Sequence, residues 1–186
     1  RLAGFLHDAG KFDAAGIKEG KLTFAGHETH IAAIQTDLEQ LRFSSRDTTY
    51  ILSLVQAHMR PLTEETTPKA TRRLLAMLDS YHLSFRDFLR MRIADKRGNL
   101  AKPPYTLAEI RVRLKKIQDE MSGRAAFNMK DLDICGSDIM ELLDLEPGPE
   151  VGRIKGMLFE QVLDNPCLNT RANLESLLKG LFPCKP

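Results

Sequence analysis

His27-Glu28-Thr29-His30-Ile31-Ala32-Ala33-Ile34-Gln35-Thr36-Asp37-Leu38-Glu39-Gln40-Leu41 is the stretch that decides the fold class. His27, Ile31, Ile34, Leu38 and Leu41 recur at steps of four, three, four and three, so they stack on one stripe of a helix starting after Gly26. The same period runs on down the chain. Phe43-Ser44-Ser45 breaks the first helix, and from about Asp47 a second aligns Ile51, Leu54, Val55 and His58. It stops at Arg60-Pro61, because proline cannot continue the hydrogen-bond ladder. Further helices are expected near residues 69–80 and 84–97, the latter starting at Ser84, a good N-cap with Asp87 in the capping-box place. A helix over 106–121 presents Leu107, Ile110, Leu114, Ile117 and Met121 as its apolar face, with Arg111, Arg113, Lys115 and Lys116 on the rest. Three shorter helical segments follow, divided by Pro147-Gly148-Pro149 and Asn165-Pro166, and Val151, Ile154, Leu158 and Val162 read as core. Only Lys21-Leu22-Thr23-Phe24 suggests a strand. The chain reads as all-α.

Its 186 residues fit one large domain or two small ones. The tandem prolines of Lys102-Pro103-Pro104 set the expected boundary, with one domain over 1–101 and a helical region over 102–186. No apolar run approaches the roughly 18 residues of a membrane span, so no membrane partner is expected. Cys135, Cys167 and Cys184 are odd in number and widely spaced, which reads as reduced thiols in a cytoplasm. Net charge is only +2, but it is uneven: +3 over residues 1–100, +3 over 101–128 and −4 over 129–186. There is no initiator Met, and Arg1-Leu2-Ala3-Gly4-Phe5-Leu6 reads as a helix already under way, so a longer protein is expected.

The chemistry concentrates at His7-Asp8, followed by Gly10-Lys11. An imidazole beside a carboxylate at a helix end offers a divalent cation one nitrogen and one oxygen, and the glycine lets backbone and lysine approach a phosphate. His27 and His58 each lie in line with the apolar stripe of their helix and must point inward. Two inward imidazoles need partners, either hydrogen bonds in a core or a shared ligand. Asp95 adds a second inward carboxylate, seven residues after Phe88 on the same side of its helix. Asp131-Leu132-Asp133 has the spacing of paired carboxylates but lies among loop signals and reads as solvated surface, as do His30 and His82.

The order His-Asp, His, His, Asp resembles the HD superfamily of metal-dependent phosphohydrolases, which implies an HD-type helical domain. Leu2-Ala3-Gly4-Phe5-Leu6-His7-Asp8-Ala9-Gly10-Lys11, Phe24-Ala25-Gly26-His27-Glu28 and Leu41-Arg42-Phe43-Ser44 are similar to the HD region of bacterial tRNA nucleotidyltransferases and poly(A) polymerases. Gly136-Ser137-Asp138-Ile139-Met140, Pro147-Gly148-Pro149-Glu150-Val151-Gly152 and Asn169-Thr170-Arg171-Ala172-Asn173-Leu174 are similar to that family's C-terminal helical region. The resemblance implies a further histidine upstream of the doublet and a nucleotidyl-transferring head, neither of which this sequence contains.

It also implies roles. His7, Asp8 and Asp95 would hold one divalent ion, and His27 and His58 would line the same cavity or hold a second ion. Nitrogen with carboxylate suits Mn, Fe, Ni, Co or Zn, and Mg less well. The reaction would be hydrolysis of a phosphoester, with Asp8 and Lys11 as the expected catalytic residues. Lys11 would hold the phosphate, with Arg42 and Arg60 as weaker candidates. The region after the HD module would hold tRNA or another RNA, with Arg111, Arg113, Lys115 and Lys116 on phosphates. With 6% aromatic residues and no Trp, base-stacking platforms are not evident. The alternative is a non-catalytic RNA-binding or structural module with a relic HD site.

Overall fold

The computed structural model describes residues 1–63, 65–100, 103–122 and 126–182. The fold is mostly helical, as expected, with nine α-helices and one small hairpin among the described residues. In order these are α1 (Leu2–Leu6), β1 (Gly16–Lys18), β2 (Lys21–Thr23), α2 (Ala32–Gln40), α3 (Ser45–Ala57), α4 (Pro68–Ser80) and α5 (Phe85–Gly98). There follow α6 (Leu107–Met121), α7 (Gly136–Leu143), α8 (Pro149–Asp164) and α9 (Arg171–Leu181). No helix of the described residues is long and apolar enough to cross a membrane. The expected boundary at Lys102-Pro103-Pro104 lies partly outside the described residues, and so does Cys184, whereas Cys135 and Cys167 are free and exposed.

Two compact units emerge, Arg1–Pro61 with Leu78–Ile110, and Leu62–Met77 with Arg111–Pro186. In the first, α1, α2 and α5 pack on α3. Ala3, Ile34, Leu38, Val55, Ala57 and Phe88 are among its buried side chains. Both long helices start on a serine. The hydroxyls of Ser44 and Ser84 accept from the backbone N–H groups of Asp47 and Asp87, each at 3.1 Å, and donate back to those carboxylates at 2.8 Å. Tyr50 of α3 donates its hydroxyl to Asp87 of α5 at 2.5 Å.

Two expectations change here. The single helix over 27–41 is a 3₁₀ turn at His27–Thr29 followed by α2, whose N-cap is Ile31. Gly26 is left-handed at φ 76° and His30 has ψ 74°, so the ladder cannot run through from 27 to 32. His27, Ile34 and Leu38 are nonetheless buried, while Leu41 is exposed. The suggested strand is half of a hairpin: Glu19 and Gly20 both take positive φ, as a two-residue hairpin turn requires, and register Ile17 against Leu22.

In the second unit the stripe of α8 is core as expected. Ile154, Leu158 and Val162 are buried against Ile139 of α7 and Leu174 and Leu178 of α9. The α6 face is rotated from its expected position. Leu107, Leu114 and Met121 are exposed, whereas Arg113 and Ile117 are buried. Arg113 belongs inside because its Nε donates to the Leu62 carbonyl at 2.9 Å, and Glu120, three residues past Ile117, meets Arg72 at 2.9 Å. A hydrophobic count cannot see polar groups that bring their own partners. Asp131 and Asp133 are exposed as read, yet they also staple the loop: Asp131 Oδ2 accepts from Phe127 and Asn128 N–H, and Asp133 Oδ2 from Arg171 N–H. Asn169 bridges them, accepting from Asp133 N–H and donating to the Asp131 carbonyl, both at 3.0 Å.

Candidate metal centre

Within the first unit, His7 ends α1, His27 opens its 3₁₀ turn and His58 ends α3. All three imidazoles are tethered in the same way. Each Nδ1 bonds to the carbonyl three residues earlier: His7 to Gly4 at 2.9 Å, His27 to Phe24 at 3.0 Å and His58 to Val55 at 2.5 Å. A carbonyl can only accept, so Nδ1 carries the proton, and in the neutral ring Nε2 presents a bare lone pair.

These Nε2 atoms converge. His27 Nε2 lies 3.3 Å from His58 Nε2 and 3.3 Å from Asp8 Oδ1, and His7 Nε2 lies 3.4 Å from Asp8 Oδ1. The donor atoms of His7, Asp8 and His58 all fall within 4.8 Å of one another. His27 joins through Asp8 and His58, and Asp95 joins through its Oδ1, 3.4 Å from His7 Nε2. The structure therefore brings together His7, Asp8, His27, His58 and Asp95. Lone pairs facing lone pairs repel unless a cation lies between them. Two ligands about 2.1 Å from one ion stand about 3.0–3.4 Å apart at octahedral or tetrahedral angles, which matches these separations. The donor set thus fits a divalent ion, and the carbonyls on Nδ1 are the outer partners that orient metal-binding histidines.

Gly10 explains part of the local sequence. A Cβ there would stand 2.8 Å from the His30 carbonyl oxygen and nearer still to that of His27. Its small size lets the turn at Ala9–Lys11 pack on the turn bearing His27, so the glycine serves the meeting of the ligands.

Burial pushes the His58 imidazole below its ordinary pKa, and the neighbouring His7 and His27 push the same way. Burial raises Asp8, but the Lys11 hydrogen bond together with His7 and His27 outweighs it, and the carboxylate is held below its usual range. An unprotonated His58 beside an ionised Asp8 is the arrangement a cation requires. A cavity of about 550 Å³ opens onto the cluster, lined by His7, Asp8, Lys11, Asp95, Gly98 and Asn99. Lys11 Nζ lies 2.6 Å from Asp8 Oδ2 and 5.9 Å from the centre of the Phe24 ring.

The remaining sequence candidates lie apart. Arg42 and Arg60 are exposed, and no hydrogen bond or ion pair among the described residues joins them to the cluster. Arg111, Arg113, Lys115 and Lys116 belong to the second unit. Arg111 and Lys115 are exposed, Arg113 is buried, and Lys116 Nζ donates to the Thr66 carbonyl at 3.0 Å. His30 and His82 are exposed, as expected. The reading from sequence missed Arg92, whose Nη1 donates to the His58 carbonyl at 2.6 Å and lies 3.7 Å from Asp95 Oδ2. Its spacing of three from Asp95 is the signal that was available.

The family described as tRNA nucleotidyltransferase domain 2 matches residues 22–178. That span includes His27, His58 and Asp95 and begins after the His7-Asp8 doublet. The A-adding tRNA nucleotidyltransferase of Deinococcus radiodurans is 30% identical over 168 residues, covering 86% of this chain and 36% of that protein. The CC-adding tRNA nucleotidyltransferase of Thermus thermophilus is 31% identical over 174 residues, covering 86% and 35%. The chain spans about a third of the length of these curated relatives. No solved structure matches it.

Proposed function

Because the chain belongs to the tRNA nucleotidyltransferase family, we propose that it is the HD-type domain and C-terminal helical region of a protein of the CCA-adding or poly(A) polymerase kind, acting in RNA processing. The HD-type module is assigned to 1–101 and the helical, RNA-positioning region to 102–186, although residues 62–77 belong to the second compact unit. The module carries a metal-dependent phosphohydrolase or phosphodiesterase site. What supports this most is the convergence of three Nε2 lone pairs and the Asp8 carboxylate, with every Nδ1 already used.

His7, Asp8 and Asp95 hold the ion, with His27 and His58 completing the shell or serving a second one. A divalent ion there supplies neutralising charge to a phosphoryl oxygen and makes water more acidic. Asp8, kept anionic, holds its negative charge at the donor atom facing His7 and His27. Lys11 sits at the cavity wall on a flexible stem, so its ammonium can turn from Asp8 to a substrate phosphate. Nitrogen-rich donors favour Mn, Fe, Co, Ni or Zn over Mg. In the second unit Arg111 and Lys115 present their charge to solvent and suit phosphate contacts, whereas Arg113 is committed to a backbone carbonyl.

Elemental analysis of the purified protein, with hydrolysis of simple phosphoesters and 2′,3′-cyclic nucleotides, tests the metal reading. The expected result is a bound transition metal and metal-stimulated hydrolysis abolished by His7→Ala and Asp8→Ala. A metal-free protein with no such hydrolysis would make the cluster a relic and the chain a binding module.

A further inference from the structure

We propose that Arg92 is a positioning residue that selects which oxygen of Asp95 faces the cluster and fixes the helix end that carries His58; this rests on the metal reading above. Arg92 lies on α5, one turn before Asp95, with only 19% of its side chain exposed. One of its nitrogens serves both neighbours. Nη1 donates to the His58 carbonyl at 2.6 Å and approaches Asp95 Oδ2 at 3.7 Å. With Oδ2 so engaged, Asp95 turns its other oxygen, Oδ1, to His7 Nε2 at 3.4 Å.

The His58 ring is held by its own Nδ1 on the Val55 carbonyl, which sets its orientation within α3. That bond does not determine where the end of α3 stands relative to α5. The contact from Arg92 to the His58 carbonyl does, because it crosses from one helix to the other. Tyr50 and Asp87 join the same two helices elsewhere, but at the cluster itself one guanidinium touches both His58 and Asp95. The buried Nε of Arg92 has no hydrogen-bond partner. An unmet buried donor is destabilising, so hydrogen-bond satisfaction alone does not account for an arginine at this position. Placing two groups of the cluster at once does.

The electrostatic effect opposes the geometric one, and this decides the test. A guanidinium near a divalent ion repels it, so removing the charge would strengthen binding while losing the placement weakens it. Arg92→Lys separates the two. It keeps the charge, but the lysine ammonium ends one bond short of Nη1 and cannot hold the 2.6 Å contact. Cobalt(II) titration followed by its d–d absorption reads both affinity and ligand geometry.

Arg92→Lys is expected to bind cobalt about 10- to 100-fold more weakly, the usual loss for an outer-shell partner, with an altered absorption envelope. In an Asp95→Asn background the same substitution is expected to cost much less, since the oxygen it orients is no longer an anion. A merely structural arginine would lower the melting temperature of the metal-free protein and leave the spectrum of bound cobalt unchanged. Arg92→Gln provides a second variant, uncharged and with its nitrogen two bonds short of Nη1, so it removes the charge as well as the contact to the His58 carbonyl. Its absorption envelope is also expected to change, whatever its affinity does. If the parent protein takes up no cobalt, both readings fall. If it does, and the folded Lys and Gln variants both match its spectrum, only the Arg92 assignment falls.

Discussion

Gly10→Ala tests how the cluster is assembled. The added Cβ would stand 2.8 Å from the His30 carbonyl oxygen, with the His27 carbonyl oxygen nearer still. The first of these is roughly 0.6 Å inside the shortest ordinary contact. Both obstacles are backbone, so no side chain can swing aside. Relief requires the turn at His27–Thr29 to retreat from the turn at Ala9–Lys11 by more than the about 0.5 Å to which a metal site must be held. Overpacking of this kind costs about 1–3 kcal/mol. For a chain of this length that lowers the melting temperature by roughly 3–10 °C. Because His27 rides on the displaced turn, cobalt affinity should fall about tenfold or more. Gly156→Ala is the control: it lies within α8 with open space around its Cβ, and should stabilise by about 0.5–1 kcal/mol. Thermal melts and cobalt titrations of both variants read these effects. A Gly10→Ala protein that melts within about 1 °C of the parent and binds cobalt equally well would refute the account of the two turns.

Three further outcomes are expected. Burial holds the His58 imidazole below its ordinary pKa of about 6.5, so the unfolded state takes up its proton first as pH falls. Stability of the metal-free protein is then fully present above about pH 6.5 and is lost as pH falls through the depressed folded value, which melts between about pH 8 and pH 5 will show. In the second unit, Arg72→Met removes three bonds, Nε to the Leu163 carbonyl, Nη1 to Glu120 and Nη2 to the Asp164 carbonyl, and leaves Glu120 unmatched. A loss of about 3 kcal/mol in urea melts is expected, with much of it recovered when Glu120→Met is added. Arg111→Glu with Lys115→Glu should weaken tRNA binding and flatten its log–log salt slope by about 1.8, and an unchanged slope would remove α6 from the interface.

Much of the fold was legible in local periodicity. The spacing of Ile51, Leu54, Val55 and His58 predicted both α3 and the burial of its histidine, and Ser84 with Asp87 predicted the start of α5. The same spacing reasoning put His27 on an α-helix, where the structure has a 3₁₀ turn, yet its inward direction held because that turn and α2 share a buried side. It failed on α6, where Arg113 occupies a buried position that a hydrophobic pattern assigns to an apolar residue.

Sequence alone determined that the protein is helical, that two histidines point inward, and that His7-Asp8 and Asp95 are the carboxylate and imidazole groups worth placing beside them. These follow from periods of three and four residues, which are local properties of a backbone. Tertiary structure alone decided that the five groups meet, that Gly10 gives room for the meeting, and that Arg92 bridges His58 and Asp95. The reason is physical: a lone pair is directed by the bond on the opposite side of its ring, and that bond goes to a carbonyl whose position is set only when helices and turns have packed.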